Sequence, residues 1–140
     1  MSTYADTSFL VSIYLIDRHS SEAQRAMAES PAIWFTPFHY AEWSHAIAQH
    51  IFQKKISAEE AEEVHRNLAI DRAAGLWIEA EVPENLFVIC AELARQYCSR
   101  LGVRTLDSLH VACALELKAE RFWTFDERQA KLAKAMGLKK

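Results

Sequence analysis

The sequence predicts an α/β fold: a short, mostly parallel central sheet of about four to five strands flanked by about seven helices. Three observations predict it. Short apolar runs suited to buried strands alternate with longer stretches of helical periodicity. All 3 Gly and 3 Pro stand at the boundaries between those stretches. Hydrophobic residues make up 51% of 140 residues, with no repeat, linker or low-complexity tract, which predicts one domain spanning 1–140 around a real core.

A brief strand near Tyr4–Ala5 leads into a helix from Thr7 to about Ile16, and a second helix covers about Ser20 to Glu29. Ala32 to Thr36, flanked by Pro31 and Pro37, reads as a buried strand. Pro37 suits the first turn of a helix capped by Thr36 and running to about Phe52. Ser57 and Glu60 form a capping box that opens a helix ending near Gly75. Leu76 to Val82 reads as an edge strand, because Glu79 and Glu81 share one face. Pro83 starts a helix that closes at Gly102, and Thr105 caps another through Ala119. Arg121 to Phe125 is the last strand, and Asp126 opens a last helix that ends before Gly137.

Composition excludes several classes. The apolar content rules out disorder, and Phe9 to Ile16, the apolar run near the start, is too short for a membrane span. No basic segment precedes that run, so no signal peptide is expected. Cys90, Cys98 and Cys113 are an odd set without CxxC spacing, which predicts small core residues and a reducing, cytoplasmic setting. The net charge of −3 conceals a polarity. Residues 57–84 carry eight acids against two bases, and residues 121–140 carry six bases against two acids. Solvated helix faces explain both runs, although a local basic stripe is also what a phosphate backbone needs.

Ligands of parallel sheets bind beyond the carboxyl ends of the strands. Asp6 ends the first strand and Asp126 the last; Asp107 lies in the first turn of its helix, and Glu42 in the second turn of the helix after AIWFT. Each has an ordinary explanation. Asp6 and Asp126 are good N-caps, Asp107 suits a helix N-terminus, and Glu42 could be an exposed helical acid. Asp107 and Glu42, however, sit in apolar frames, TLDSLHVACAL and FHYAEWSHAI, where an unpaired charge is costly. Four acids at one sheet end are the oxygen donors that a hard cation such as Mg²⁺ takes.

With A-D-T-S-F-L-V-S-I-Y, Y-A-E-W, R-T-L-D-S-L-H-V-A-C-A-L and W-T-F-D-E-R-Q-A-K-L-A in this order, the chain resembles a PIN-domain ribonuclease along its whole length. The narrower resemblance is to the VapC-like toxins of bacterial type II toxin–antitoxin pairs. It implies a PIN-like single domain with Mg²⁺- or Mn²⁺-dependent endoribonuclease activity. Asp6, Glu42, Asp107 and Asp126 match the family's acids and would be both the metal ligands and the catalytic groups, Asp6 and Asp107 foremost. Thr105 and Thr124 match small hydroxyl positions with supporting or capping roles. The mechanism this implies is in-line attack by water on phosphorus, leaving a 5′-phosphate and a 3′-hydroxyl. Arg104, Arg128 and Lys131 are candidates for holding flanking phosphates. The expected partners are an RNA substrate, a cognate antitoxin and a second copy of the chain, with no membrane. An antitoxin tail could lie on the first two helices, although FLVSIYLI reads equally as a buried core helix.

Other readings are weaker. His39 and His45 lie about 120° apart on a helix and cannot easily share a metal, and no HExxH is present. His110 reads first as a core or capping residue, with orientation of Asp107 as the alternative. Trp34, Trp43 and Trp123 read as core residues, although Trp43 beside Glu42 could stack on a base. A haloacid-dehalogenase-type phosphatase needs D-x-D, and Ser8 stands there; a receiver domain needs a second acid beside Asp6, and Tyr4–Ala5 stand there. The remaining alternative is a non-catalytic PIN-like module that binds RNA or protein.

Overall fold

The structure is a computed structural model that describes residues 1–140. Four parallel strands, β1 (Ser2–Ala5), β2 (Ala32–Phe35), β3 (Trp77–Glu79) and β4 (Arg121–Trp123), form one sheet in the order β3-β2-β1-β4. Thr3 aligns with Ile33 on one side and with Arg121 on the other, so β1 is central. Sequence order runs outward from β1 through β2 to β3 and then jumps to β4 on the far side. The junction of β1 and β4 is therefore the topological switch point, where parallel sheets open a crevice. Asp6 N–H donates to Trp123 O at 2.9 Å, carrying the β1–β4 pairing to that crevice. The outer edge of β4 is covered by the chain end: Phe122 N–H donates to Lys139 O, and Lys139 N–H to Glu120 O.

Helices α1 (Thr7–Tyr14), α2 (Ser20–Met27), α3 (Pro37–Phe52) and α4 (Ala58–Ala73) follow β1 and β2. Their apolar residues and those of β2 and β3, among them Phe9, Leu10, Ile33, Trp43 and Leu68, form one buried core. Helices α5 (Leu86–Leu93), α6 (Ser99–Leu101), α7 (Thr105–Glu116) and α8 (Glu127–Ala135) supply a second core with Tyr4 and Phe122 of the sheet. Adjacent residues of β1 serve the two cores, Tyr4 one and Ala5 the other, as the pleat requires. No helix is long and apolar enough to cross a membrane.

Most boundaries follow the sequence signals. Ser57 Oγ accepts from Glu60 N–H at 3.0 Å and Glu60 Oε1 from Ser57 N–H at 3.1 Å, the reciprocal box that opens α4. The short strand β3 lies at the sheet edge. Elsewhere the structure corrects the expectation. The helix expected from Pro83 to Gly102 starts at Leu86, after a turn closed by Leu86 N–H on Pro83 O. It is then interrupted by a π-helical segment, Ala94–Cys98, before α6. Gly102, at φ 68°, supplies the left-handed residue that ends α6. Thr105 does not cap α7: Arg104 is the extended residue before it, and no side chain caps the helix. Thr105 already lies inside the helix, and seven consecutive buried residues, Ser108–Ala114, hold α7 in place instead. Trp34 and Trp123 are half-buried rather than enclosed, the latter lying under the Arg121 guanidinium, 4.8 Å from the ring centre. FLVSIYLI is a core helix in its first part, with Phe9, Leu10 and Val11 buried.

Candidate active site

Asp6 follows the central strand, at the switch point. It precedes α1 in the N-cap position, yet its side chain makes no capping bond. Its Oδ2 accepts from Ser8 Oγ at 2.5 Å, and the residue is 8% exposed. The capping explanation therefore fails for Asp6, because a buried carboxylate bonded to one hydroxyl retains free lone pairs.

Glu42 reaches the same point from α3. That helix is set against β1 by His39, three residues before Glu42. The fully buried imidazole places Nδ1 3.1 Å from Thr36 N–H and Nε2 2.9 Å from Ala5 O. These partners assign the tautomer: Nδ1 accepts from Thr36 and Nε2–H donates to Ala5. Burial, and the neighbouring His110, hold its pKa down to about 3. His39 is thus a neutral strut between the end of β1 and the start of α3.

Thr7 Oγ1 donates to Glu42 Oε1 at 2.7 Å, and His110 Nε2 bonds the same oxygen. His110 is 1% exposed, stacked on Phe38 with ring centres 4.2 Å apart, and its Nδ1 lies 2.7 Å from the Tyr4 hydroxyl. With both ring nitrogens engaged, His110 orients Glu42 and stands 3.6 Å from Asp6 Oδ1. His110 is buried, in keeping with its first reading as a core residue, and the carboxylate it bonds is Glu42 rather than Asp107, the alternative considered. Burial raises the pKa of Glu42, but the His110 bond and charge, together with Thr7, outweigh it, and the carboxyl titrates below its ordinary value. Donor atoms of Asp6, Glu42 and His110 all lie within 4.8 Å of one another.

Asp107, in the first turn of α7, lines the same cleft of about 330 Å³ as Asp6 and Glu42. Burial raises its pKa, and the charges of Asp6 and then Asp126 raise it further, against the opposing pull of Arg104 and His110. Asp107 thus feels like charges that its cationic neighbours do not fully offset. Asp126 stands one step removed. Its carboxylate caps α8, accepting from Gln129 N–H at 2.8 Å, so here the ordinary explanation holds. Asp126 nonetheless shares with Asp107 a second cleft of about 480 Å³, whose lining includes Arg104 and Arg128. Thr124 Oγ1 donates to Gln129 Oε1 at 2.6 Å, and Gln129 Nε2 donates to Asp107 O at 3.1 Å, tying the start of α8 to the start of α7. Thr124 therefore supports the site; Thr105 makes no such link. Trp43 is wholly enclosed and Lys131 lines neither cleft.

Sequence reasoning missed Thr7, Ser8 and the bond between His110 and Glu42. One usable signal was the hydroxyl pair directly after Asp6. The bond from His110 to Glu42 had no such signal.

Fold and site together define a small parallel α/β protein with an acidic cleft at the sheet's switch point, where Asp6 and Glu42 cluster with His110, Asp107 lines the same cleft outside that cluster, and Asp126 stands beside it. The chain belongs to the PIN domain family, which it matches over residues 3–135. Among solved structures it is similar to the Mycobacterium tuberculosis VapC20, a sarcin-ricin loop cleaving toxin, at 16% identity and a TM-score of 0.69 over 92% of this chain and 93% of that one. It is similar to Neisseria gonorrhoeae FitAcB at 14% identity and a TM-score of 0.71, over 94% and 93%. It is also similar to Rickettsia felis VapBC2, solved with a DNA fragment from its promoter, at 16% identity and a TM-score of 0.64, over 94% and 92%. Likeness at these identities establishes a shared fold. No curated protein matches the chain.

Proposed function

We propose that this chain is a divalent-cation-dependent endoribonuclease, acting in the cytoplasm as the toxin of a toxin–antitoxin pair. The observation that carries the reading is that Asp6, Glu42 and Asp107 line one cleft at the switch point, where burial and the charge of Asp6 raise the Asp107 pKa. The donor set fits a hard cation. Its free atoms are carboxylate oxygens, the preference of Mg²⁺ and Mn²⁺, whereas His110 already uses both ring nitrogens. Asp6, Glu42 and Asp107 would hold the ion, and Asp126, occupied as a cap, would complete the electrostatic field from the second cleft.

The chemistry such a cation supplies is neutralisation of the phosphodiester's charge and acidification of water. The rest falls to the chain's own residues. Thr7 and His110 fix the Glu42 carboxylate, and Ser8 fixes that of Asp6, so both acids are set before substrate arrives. Glu42, ionised at neutral pH, is placed to orient an attacking water. Arg104 and Arg128 form no ion pair within the chain, although acids share their cleft, and this leaves both guanidiniums available to flanking phosphates. A protein of this fold described as a sarcin-ricin loop cleaving toxin supports RNA as substrate. The likeness to VapBC2 supports an antitoxin partner, and the family resemblance implies a homodimer.

The test incubates purified protein with a mixed tRNA, rRNA and mRNA pool, with and without Mg²⁺, and maps the new 5′ ends. Mg²⁺-dependent fragments carrying 5′-phosphates are expected. Binding of RNA without any metal-dependent cutting would replace the enzyme with a non-catalytic module.

A further inference from the structure

The acidic cleft extends past Ser12 to Asp17 and His19, residues with no part in the chemistry above. His19 lies flat on Phe125, ring centres 4.1 Å apart and planes within 5°. Phe125 stacks in turn on Phe9 at 5.7 Å and 19°, and Phe9 is a core residue only 3% exposed. The three rings form a column from the core to the rim of the cleft. Phe125 is half-buried, and His19 alone of the three lines the cleft. Besides the stacking, one bond reaches the ring and one the main chain. Arg18 Nε–H donates to His19 Nε2 at 3.2 Å, and His19 N–H donates to Asp17 Oδ1 at 2.8 Å.

A flat ring held rigid at the mouth of a strand-binding cleft suits one kind of ligand. Asp17 lines this end and Arg18 bonds the ring, so the local charge does not single out a phosphate, whereas a flat aromatic ring offers a face to a nucleobase. We propose that His19, backed by Phe125, is the platform on which an unpaired base beside the scissile phosphate stacks. This rests on the reading of the cleft as an RNA site. It gives the strand a direction across the protein: phosphates at Arg104 and Arg128, the scissile bond at the acids, and a base on His19.

Anisotropy of two fluorescein-labelled short strands tests it on the full chain in an Asp107→Asn background, so that nothing is cut. One strand is single-stranded RNA of mixed sequence, and the other is the same ribose-phosphate backbone without bases. His19→Ala is expected to weaken the base-bearing strand about tenfold and leave the backbone strand unchanged, while His19→Phe, which keeps a stacking face, restores binding. Equal losses on both strands, no loss on either, or failure of His19→Phe to restore binding would each overturn the platform. If neither the native chain nor the parent Asp107→Asn protein binds either strand, the ribonuclease reading itself falls and the platform with it.

Discussion

His39 makes acid sensitivity calculable. The buried ring is needed neutral, because Nδ1 accepts from Thr36 N–H while Nε2–H donates to Ala5 O, and a second ring proton would face the Thr36 donor. Its folded pKa is about 3 against an ordinary 6.5. A base with a depressed folded value contributes its stability fully above pH 6.5 and loses it as pH falls, since only the unfolded chain takes up the proton. By pH 5 the loss is about 2 kcal/mol, and near pH 3 about 4 kcal/mol. Urea unfolding followed by the fluorescence of the 4 tryptophans, at pH 7.5 and pH 5, measures it. Carboxylates also titrate over this range, so the informative quantity is the difference between the native chain and His39→Gln. The variant is expected to start about 1–3 kcal/mol less stable and to lose about 2 kcal/mol less on acidification. Identical pH dependence in both proteins would refute the neutral strut.

Asp6→Asn and Asp107→Asn are each expected to lower cleavage at least about 100-fold in a gel assay while the protein stays folded, since electrostatic stabilisation of this kind is worth that much. Removing one of several mutually repelling acids should leave the melting temperature of the Asp107→Asn apo-protein unchanged or raised, measured by calorimetry. His110→Ala removes the group that holds the Glu42 pKa down, so the acid limb of the pH–rate profile should move to higher pH. Arg104→Ala and Arg128→Ala should each weaken RNA binding and reduce the salt dependence of log K by about one, read from anisotropy at several KCl concentrations.

Much of this architecture is legible in the chain because local and long-range demands agree. Pro37 after Thr36, and Ser57 with Glu60, mark helix starts that tertiary packing has no reason to move. The paired acids of Leu76–Val82 announce an edge, and β3 lies there. What escapes the sequence is what packing decides. Burial of Ser108–Ala114 makes a cap on α7 unnecessary, so the hydroxyl of Thr105 was misleading. The π-helical Ala94–Cys98 carries no local signal in its residues. The acids could be picked out by their positions at strand and helix ends, but their division of labour could not. Asp6 and Asp126 look alike as N-caps; only the fold shows that Asp126 uses its carboxylate as one while Asp6 does not. The bond from His110 to Glu42 joins residues 68 apart in sequence, beyond the reach of any spacing rule.

Cation binding to the purified chain is the most direct measurement, followed by the electron paramagnetic resonance of Mn²⁺ in titration and in competition with Mg²⁺. Saturable binding that Mg²⁺ displaces, and that Asp6→Asn and Asp107→Asn each weaken severely, is the expected result. Absence of binding, or binding indifferent to both substitutions, would contradict an acidic cleft built to hold a cation.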